Sequence, residues 1–109
     1  MKEAVNKVQL AGNLGRDPRI SEYGNQKKMA RFSITTEEYK TNQLGETIRE
    51  LQWHNAVAWG KTALLVEQSL TKGKHVVING RLSSKSYVAK DGTKKYATDI
   101  VVSDFVVLS

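Results

Sequence analysis

The chain contains no cysteine, so disulfides, thiolate metal ligands and cysteine nucleophiles are all excluded. Its two histidines, His54 and His75, are too few to build a usual zinc site, and we expect neither a metal nor an organic cofactor. No stretch of about 18 apolar residues is present, which argues against a transmembrane helix. The first residues also lack the apolar segment of a secretory signal, so we expect a cytoplasmic protein.

Residue patterns typical of enzymes are missing as well. No serine stands in a glycine-flanked nucleophile elbow. Glu37 and Glu38 are adjacent, and adjacent side chains of an extended chain point to opposite faces, which is poor geometry for a general acid and base pair. The segment 60–62, Gly-Lys-Thr, lacks the upstream glycine of a phosphate-binding loop. The sequence therefore predicts no catalytic residues and a protein that is not an enzyme.

Positive charge is in excess, with 17 Lys and Arg against 11 Asp and Glu and a formal net charge of +6. A small basic domain often binds a polyanion, and nucleic acid is the commonest one. The alternative is a soluble domain that merely leans basic, and composition alone does not choose between them. At 109 residues the chain is long enough for one core, so residues 1–109 are predicted to form a single domain.

Alternating and β-rich segments predict an all-β fold. We expect five strands, at residues 5–14, 29–36, 51–59, 75–88 and 95–102. One helix is expected at 61–72, with Gly73 as its C-terminal stop. A helix between the third and fourth of five strands matches the OB-fold, a Greek-key barrel that binds oligonucleotides. Strand order is not visible in the sequence, so other small barrels stay open.

The connections between the strands are polar. Residues 21–28 read as a loop with a turn at Gly24 and Asn25. Residues 37–49, the longest polar segment, predict a protruding hairpin loop. Residues 90–93, Lys-Asp-Gly-Thr, predict a hairpin turn with glycine where a positive φ is needed.

The predicted strand at 51–59 carries both tryptophans of the chain on one face. Alternation places Trp53 and Trp59 on the same side and Ala56 and Ala58 on the other. One interpretation puts the tryptophans in the core, because Trp and Val bury well. The other packs the small alanine face inward and leaves the tryptophans as a stacking platform, the arrangement that holds single-stranded nucleic acid. Periodicity alone slightly favours the core.

Further aromatic and basic residues support the second interpretation. Tyr39 lies at the base of the predicted hairpin loop, and Tyr87 faces outward on the fourth strand. Basic residues in loops or at strand ends near these aromatics would contact phosphates. They are Lys40, Arg49, Lys61, Lys72, Lys74, Lys85 and Lys94.

Several motifs, in this order and spacing, resemble bacterial single-stranded DNA-binding proteins. They are the segment 8–18 (VQLAGNLGRDP), Trp53-His54, 59–61 (WGK), 72–73 (KG) and 76–82 (VVINGRL). The resemblance extends from Val5 to about Val102. It implies an OB-fold that assembles, usually as a homotetramer, and wraps single-stranded DNA during replication, recombination and repair.

The resemblance also implies roles for individual residues. Family positions that stack bases match Tyr39, Trp53, Trp59 and Tyr87, and phosphate contacts match Lys61, Lys72 and Lys85. The position of His54 corresponds to a subunit contact, and the location would be the bacterial cytoplasm near the nucleoid. Family members usually continue into an acidic tail that recruits replication and repair proteins. The sequence given ends at Ser109 without one, either because a tail was removed or because this is a tailless relative, and the resemblance does not carry such recruitment over to these residues.

Two alternative functions fit the same features. One is a tailless OB-fold accessory, such as a primosome component, that would be a dimer and would bind single strands more weakly. The other is an OB-fold RNA-binding or translation module, which should prefer RNA through contacts to the 2′-hydroxyl.

Overall fold

The computed structural model describes residues 4–25 and 27–109. Within these residues the chain forms six strands and one helix. The strands are β1 (Val8–Leu14), β2 (Arg19–Tyr23), β3 (Lys27–Thr41), β4 (Thr47–Trp59), β5 (His75–Val88) and β6 (Lys94–Val107), and the helix is α1 (Gly60–Ser69).

Five of the strands close into a barrel. The sheet order is β1-β5-β6-β4-β3-β2, and β1 also pairs with β3, at Asn13 opposite Thr35 and Leu14 opposite Ile34. The pairs are antiparallel except β4 with β6, which run parallel where Ala56 meets Ile100. The helix stands between β4 and β5, the third and fourth strands of the barrel, as in the OB-fold. This confirms the predicted five-stranded barrel.

The prediction of a polar loop at residues 21–28 was wrong over most of its length. Residues 19–23 form β2, which pairs with β3 from Arg19 opposite Arg31 to Tyr23 opposite Lys27. Gly24, with φ of 61°, is the turn that was expected. Only Ile20 of β2 packs against the core, so the strand has no hydrophobic alternation that a sequence pattern could detect.

The predicted hairpin at 37–49 is a long two-stranded ribbon. Strands β3 and β4 pair without interruption from Met29 opposite Trp59 to Thr41 opposite Thr47. Asn42 closes the short turn, because its side-chain oxygen accepts hydrogen bonds of 2.9 Å from the backbone N–H groups of Leu44 and Glu46. We call this projection the β3–β4 arm, residues 37–49, and the corresponding β5–β6 projection the β5–β6 arm, residues 83–99.

The helix is shorter than predicted, because it ends at Ser69 and Leu70 is already extended. Ala63, Val66 and Leu70 are buried against the barrel. Gly73 has a φ of 90° but lies in the following turn, where its N–H donates to the Leu14 carbonyl. The assignment of Gly73 as the helix stop was therefore wrong. Gly73 and Lys74 instead form backbone hydrogen bonds with Leu14 at the end of β1.

The core consists mainly of even-numbered side chains, which the strands turn inward. They include Ala30, Phe32, Ile34, Ala56, Ala58, Val76, Ile78, Ile100 and Val102. Gly12 stands where β1 meets β3, and a Cβ atom there would overlap the Thr35 carbonyl oxygen. The barrel can close at this point because Gly12 has no side chain.

No helix in the described part of the chain is long and apolar enough to cross a membrane.

The close approach at Gly12 generates a prediction. Gly12→Ala should lower the free energy of unfolding by about 1–3 kcal/mol, because the methyl group forces β1 away from the Thr35 carbonyl. Gly45→Asn is the control, because Gly45 faces open space and Asn tolerates its φ of 80°. Urea unfolding followed by circular dichroism measures both, and equal stability of the two variants would contradict the closure argument.

Candidate functional site

Both tryptophans lie on the outer face of β4. The side chains of Trp53 and Trp59 are 55% and 39% exposed, whereas Ala56 and Ala58 are buried in the core. The small face of the strand therefore packs inward and the large aromatic face points outward. The core interpretation of the tryptophans was wrong, because the alanines occupy the positions that face the barrel interior.

The loop after β1 packs directly against Trp53. A Cβ atom built on Gly15 would overlap the indole ring, so the glycine backbone and the ring are already in contact. The Gly15 N–H donates to the Ser33 carbonyl at 3.1 Å, which fixes the loop over β3. One edge of the Trp53 ring is thereby supported by backbone while much of its surface remains exposed.

Trp59 is supported by a different aromatic residue. The Tyr23 ring meets it edge to face, with ring centroids 5.3 Å apart and planes at 82°. Such pairs contribute about 0.5–1.5 kcal/mol beyond the area that they bury. Sequence reasoning missed Tyr23, since it belongs to β2, and its only sequence signal was an aromatic residue next to the Gly24 turn.

Tyr39 extends the aromatic surface onto the β3–β4 arm. Its side chain is 64% exposed, and its hydroxyl donates to the Glu37 carboxylate at 2.9 Å. Arg49, directly opposite on β4, donates to the same carboxylate. The hydrogen bond from Arg49, with that from Tyr39, lowers the pKa of Glu37, and the hydrogen bond to Glu37 raises the pKa of Tyr39.

The structure divides the predicted phosphate contacts into paired and unpaired groups. On the β3–β4 arm, Arg49 pairs with Glu37 and the Lys40 ammonium lies 3.1 Å from a Glu50 oxygen. These two cations are already engaged by carboxylates. The Lys94 ammonium lies 5.7 Å from the centroid of the Tyr96 ring, a cation–π distance.

The remaining predicted cations lie on other elements. Lys61 is the second residue of α1, Lys72 and Lys74 follow the helix, and Lys85 stands on the β5–β6 arm. The Lys72 backbone N–H donates to Asp17 at 2.7 Å, which joins its segment to the loop after β1. The ammonium groups of these lysines have no carboxylate partner within 4.0 Å among the described residues.

Lys85 and Tyr87 open onto a groove that the sequence did not reveal. The groove has a volume of about 620 Å³ and runs between the outer face of β3 and β4 and the β5–β6 arm. Arg16, Arg19 and Arg31 line it, and none of them was among the predicted contacts. Their positive charge was visible in the sequence, but only the pairing of β2 with β3 brings Arg19 beside Arg31.

His54 lies on the opposite face of β4 from the tryptophans, as alternation predicted. Its ring is half-buried, and Nε2 lies 2.9 Å from the Thr36 hydroxyl oxygen. No group of three or more His, Asp or Glu side chains in residues 4–25 and 27–109 could hold a metal ion.

Comparison with known proteins gives consistent matches. The model of the family described as "Single-strand binding protein family" matches residues 5–108. The chain is 40% identical over 109 residues to "Single-stranded DNA-binding protein 1" of Chlorobaculum tepidum, covering 99% of this chain and 67% of that protein. It is 36% identical over 105 residues to "Single-stranded DNA-binding protein" of Neisseria meningitidis, covering 96% of this chain and 60% of that protein.

A solved structure extends the likeness to three dimensions. "Plasmodium falciparum SSB complex with ssDNA" superposes with a TM-score of 0.89 at 26% identity, covering 100% of this chain and 99% of that one. By contrast, the chain spans 67% and 60% of the lengths of the two relatives above.

The contact between Gly15 and the indole generates a second prediction. Gly15→Ala should displace the Trp53 ring while the barrel stays folded, because the ring is exposed and can swing outward. In a Trp59→Phe background, which isolates Trp53, the emission maximum should shift to longer wavelength. The loss of stability should stay below about 1 kcal/mol. An unchanged spectrum would show that the glycine backbone does not support the ring.

Proposed function

The chain belongs to the single-strand binding protein family, and from this premise we propose that it binds single-stranded DNA without choosing sequence. The observation that carries the proposal is the pair of tryptophans exposed on one outer strand face. They stand six residues apart, or roughly 20 Å along an extended strand. An unpaired strand presents flat bases that can stack on such rings, whereas a duplex hides the faces of its bases.

Four aromatic residues supply the stacking surface in this proposal. Tyr39, Trp53, Trp59 and Tyr87 are all exposed, and base–aromatic stacking contributes about 1–3 kcal/mol per base. Stacking tolerates every sequence, because each base has a π face. The platform supplies binding and no chemistry, so we assign the protein no catalytic role.

Cations around the aromatics neutralise the phosphates. We assign Lys61, Lys72, Lys74 and Lys85 the strongest contacts, because their ammonium groups have no carboxylate partner among the described residues. Lys40, Arg49 and Lys94 contribute less, because carboxylates or an aromatic ring already engage them. Counterion release then makes affinity fall as salt rises.

We further propose that the protein acts on unwound strands in replication, recombination and repair, and that it works as a homotetramer. His54 would lie at a subunit contact, which is compatible with a half-buried ring on the face away from the tryptophans. Sedimentation at micromolar concentration tests the assembly. A tetramer supports it, a dimer points to the accessory-protein alternative, and a monomer overturns it.

A titration of tryptophan fluorescence tests the binding proposal. Oligo-dT should quench Trp53 and Trp59 strongly, and the matched duplex should quench them little. Oligo-U tests the RNA-binding alternative, which stronger quenching by oligo-U than by oligo-dT would favour. The titration is repeated at several salt concentrations, and absence of quenching by all three ligands would overturn the proposed function.

Tyr87 and Tyr96 give a matched pair for the stacking surface. Both are exposed and both stand on the β5–β6 arm, but Tyr96 lies opposite Ser86 and so faces the other side of the ribbon. Tyr87→Ala should weaken oligo-dT binding by about 1–3 kcal/mol, and Tyr96→Ala by much less. Trp53→Ala and Trp59→Ala should each weaken oligo-dT binding by about as much as Tyr87→Ala does. Equal losses for the two tyrosines would contradict the assignment of faces.

The ion pair of Glu37 with Arg49 generates a further prediction. Glu37→Gln should tighten oligo-dT binding and steepen the plot of log affinity against log salt by about 0.7, because Arg49 is freed for a phosphate. Glu38→Gln is the control, since it removes the same charge from the neighbouring position, which faces the other side of the strand. If both variants bind oligo-dT with the same affinity and the same salt dependence, net charge alone explains the effect of the arm on binding.

A further inference from the structure

The β3–β4 arm has an acidic surface on the side away from its stacking residue. Tyr39 points to one side of the ribbon, and alternation turns the even-numbered side chains to the other. We call these side chains the acidic far face: Glu38 opposite Glu50, and Lys40 opposite Ile48. The Lys40 ammonium lies 3.1 Å from a Glu50 oxygen, so this base is already paired. Glu38 has no cation within 4.0 Å among the described residues.

Two features of the acidic far face favour a contact with another molecule. Glu38 lies directly opposite Glu50, and opposed like charges destabilise a sheet. A further cation beside Glu38 would relieve this repulsion, because the ammonium of Lys40 pairs with Glu50. Ile48, on the same face, is 42% exposed and is not among the residues that pack against the core. The surface thus combines an exposed apolar side chain with a carboxylate that has no ion-pair partner in the described part of the chain.

The β5–β6 arm has a basic surface on the side away from its own stacking residue. Val88 lies opposite Lys94, and Ser86 lies opposite Tyr96. Alternation turns these side chains away from Tyr87, and we call Val88, Lys94 and Tyr96 the basic far face. Val88 and Tyr96 are each 71% exposed. The Lys94 ammonium lies over the Tyr96 ring and has no carboxylate within 4.0 Å in residues 4–25 and 27–109.

The two far faces complement each other in charge and in apolar surface. Each is one side of a two-stranded ribbon, so the two have similar widths. When the faces are laid together, Val88 and Tyr96 can cover Ile48. The same arrangement brings the Lys94 ammonium to the Glu38 carboxylate. No ion pair joins the two far faces within the described part of one chain, so each face can find its complement on a second molecule.

A second copy of this chain always carries the matching face. The contact uses different surfaces on the two copies, and such a head-to-tail contact can repeat along a line. Single-stranded DNA supplies that line, because Tyr39 and Tyr87 point to the other side of each arm and leave both far faces open. An exposed ion pair contributes too little to join copies in free solution. Copies held on one strand are at high effective concentration, at which a weak contact becomes significant.

We propose that neighbouring assemblies of this chain on a single strand contact each other through the acidic far face of one copy and the basic far face of the next. The inference rests on the proposed function, which supplies the strand. The contact makes binding to long strands cooperative, because each bound assembly offers a complementary face to the next. Glu38 and Tyr96 act between copies in this arrangement and not on the DNA. Because the ion pair is exposed, added salt weakens the contact.

Charge-reversal variants test the contact. Cooperativity is measured as the affinity for poly-dT divided by the affinity for an oligo-dT that holds one assembly. Glu38→Lys and Lys94→Glu each replace attraction by repulsion, and each should lower this ratio about twofold to fivefold, the effect of one exposed ion pair. The double variant restores opposite charges at an unchanged net charge, so its ratio should return to that of the unaltered protein. Lys95→Glu is the matched control, because Lys95 lies opposite Tyr87 on the other side of the ribbon and the change should leave the ratio as it is.

The apolar part of the contact is tested by a separate variant. Ile48→Thr keeps a β-branched residue on the strand, so the ribbon should stay folded, but it removes apolar surface and should lower the cooperativity ratio. In the unaltered protein the same ratio should fall as salt rises, because the exposed charges are screened.

The outcomes separate this inference from the proposed function. Failure of the unaltered protein to bind oligo-dT overturns both. Normal oligo-dT binding without cooperativity on poly-dT overturns the contact alone, and so does a double variant whose ratio stays as low as those of the single variants. A changed sedimentation coefficient of Glu38→Lys in the absence of DNA would place the contact inside one assembly, which also overturns it.

Discussion

The inner face of β4 determines where the binding surface lies. Ala56 and Ala58 fill the barrel interior at this strand, and a core packed to protein density leaves no room there for indole rings. Because side chains alternate, Trp53 and Trp59 must then point to solvent on the other face. The exposed aromatic surface, the adjoining groove and the position of His54 all follow from this choice of small residues inside.

The sequence predicted the barrel and its tryptophan strand because both leave local patterns. Alternation marked β3, β4 and β5, and the helix was placed correctly between the third and fourth barrel strands. Strand β2 left no such pattern, since Ile20 alone packs against the core. Tyr23 and Arg19 were missed for that reason, because their roles depend on pairing that joins residues distant in the chain.

The ion-pair partners of the basic side chains were predicted less well than the fold. The sequence gives the number of cations but not their partners, so Lys40 and Arg49 were grouped with Lys61 and Lys85. The fold separates them, because the β3–β4 ribbon places Glu50 and Glu37 beside the first two. Across-strand register, which only the folded chain fixes, therefore decides which positive charges are available to a ligand.

The residues that contact the two tryptophans differ in how firmly the fold holds them in place. Trp53 rests on backbone tied to β3, whereas Trp59 rests on Tyr23 at the end of a five-residue strand with a single strand neighbour. Short edge strands with little buried apolar surface open locally more often than central strands do. Trp53 is thus preorganised, while Trp59 loses its partner whenever β2 opens. A ligand that covers Trp59 holds β2 in its paired form, and part of its binding free energy offsets the entropy that β2 loses on being ordered. Hydrogen exchange in β2 should therefore slow when Trp59 is covered.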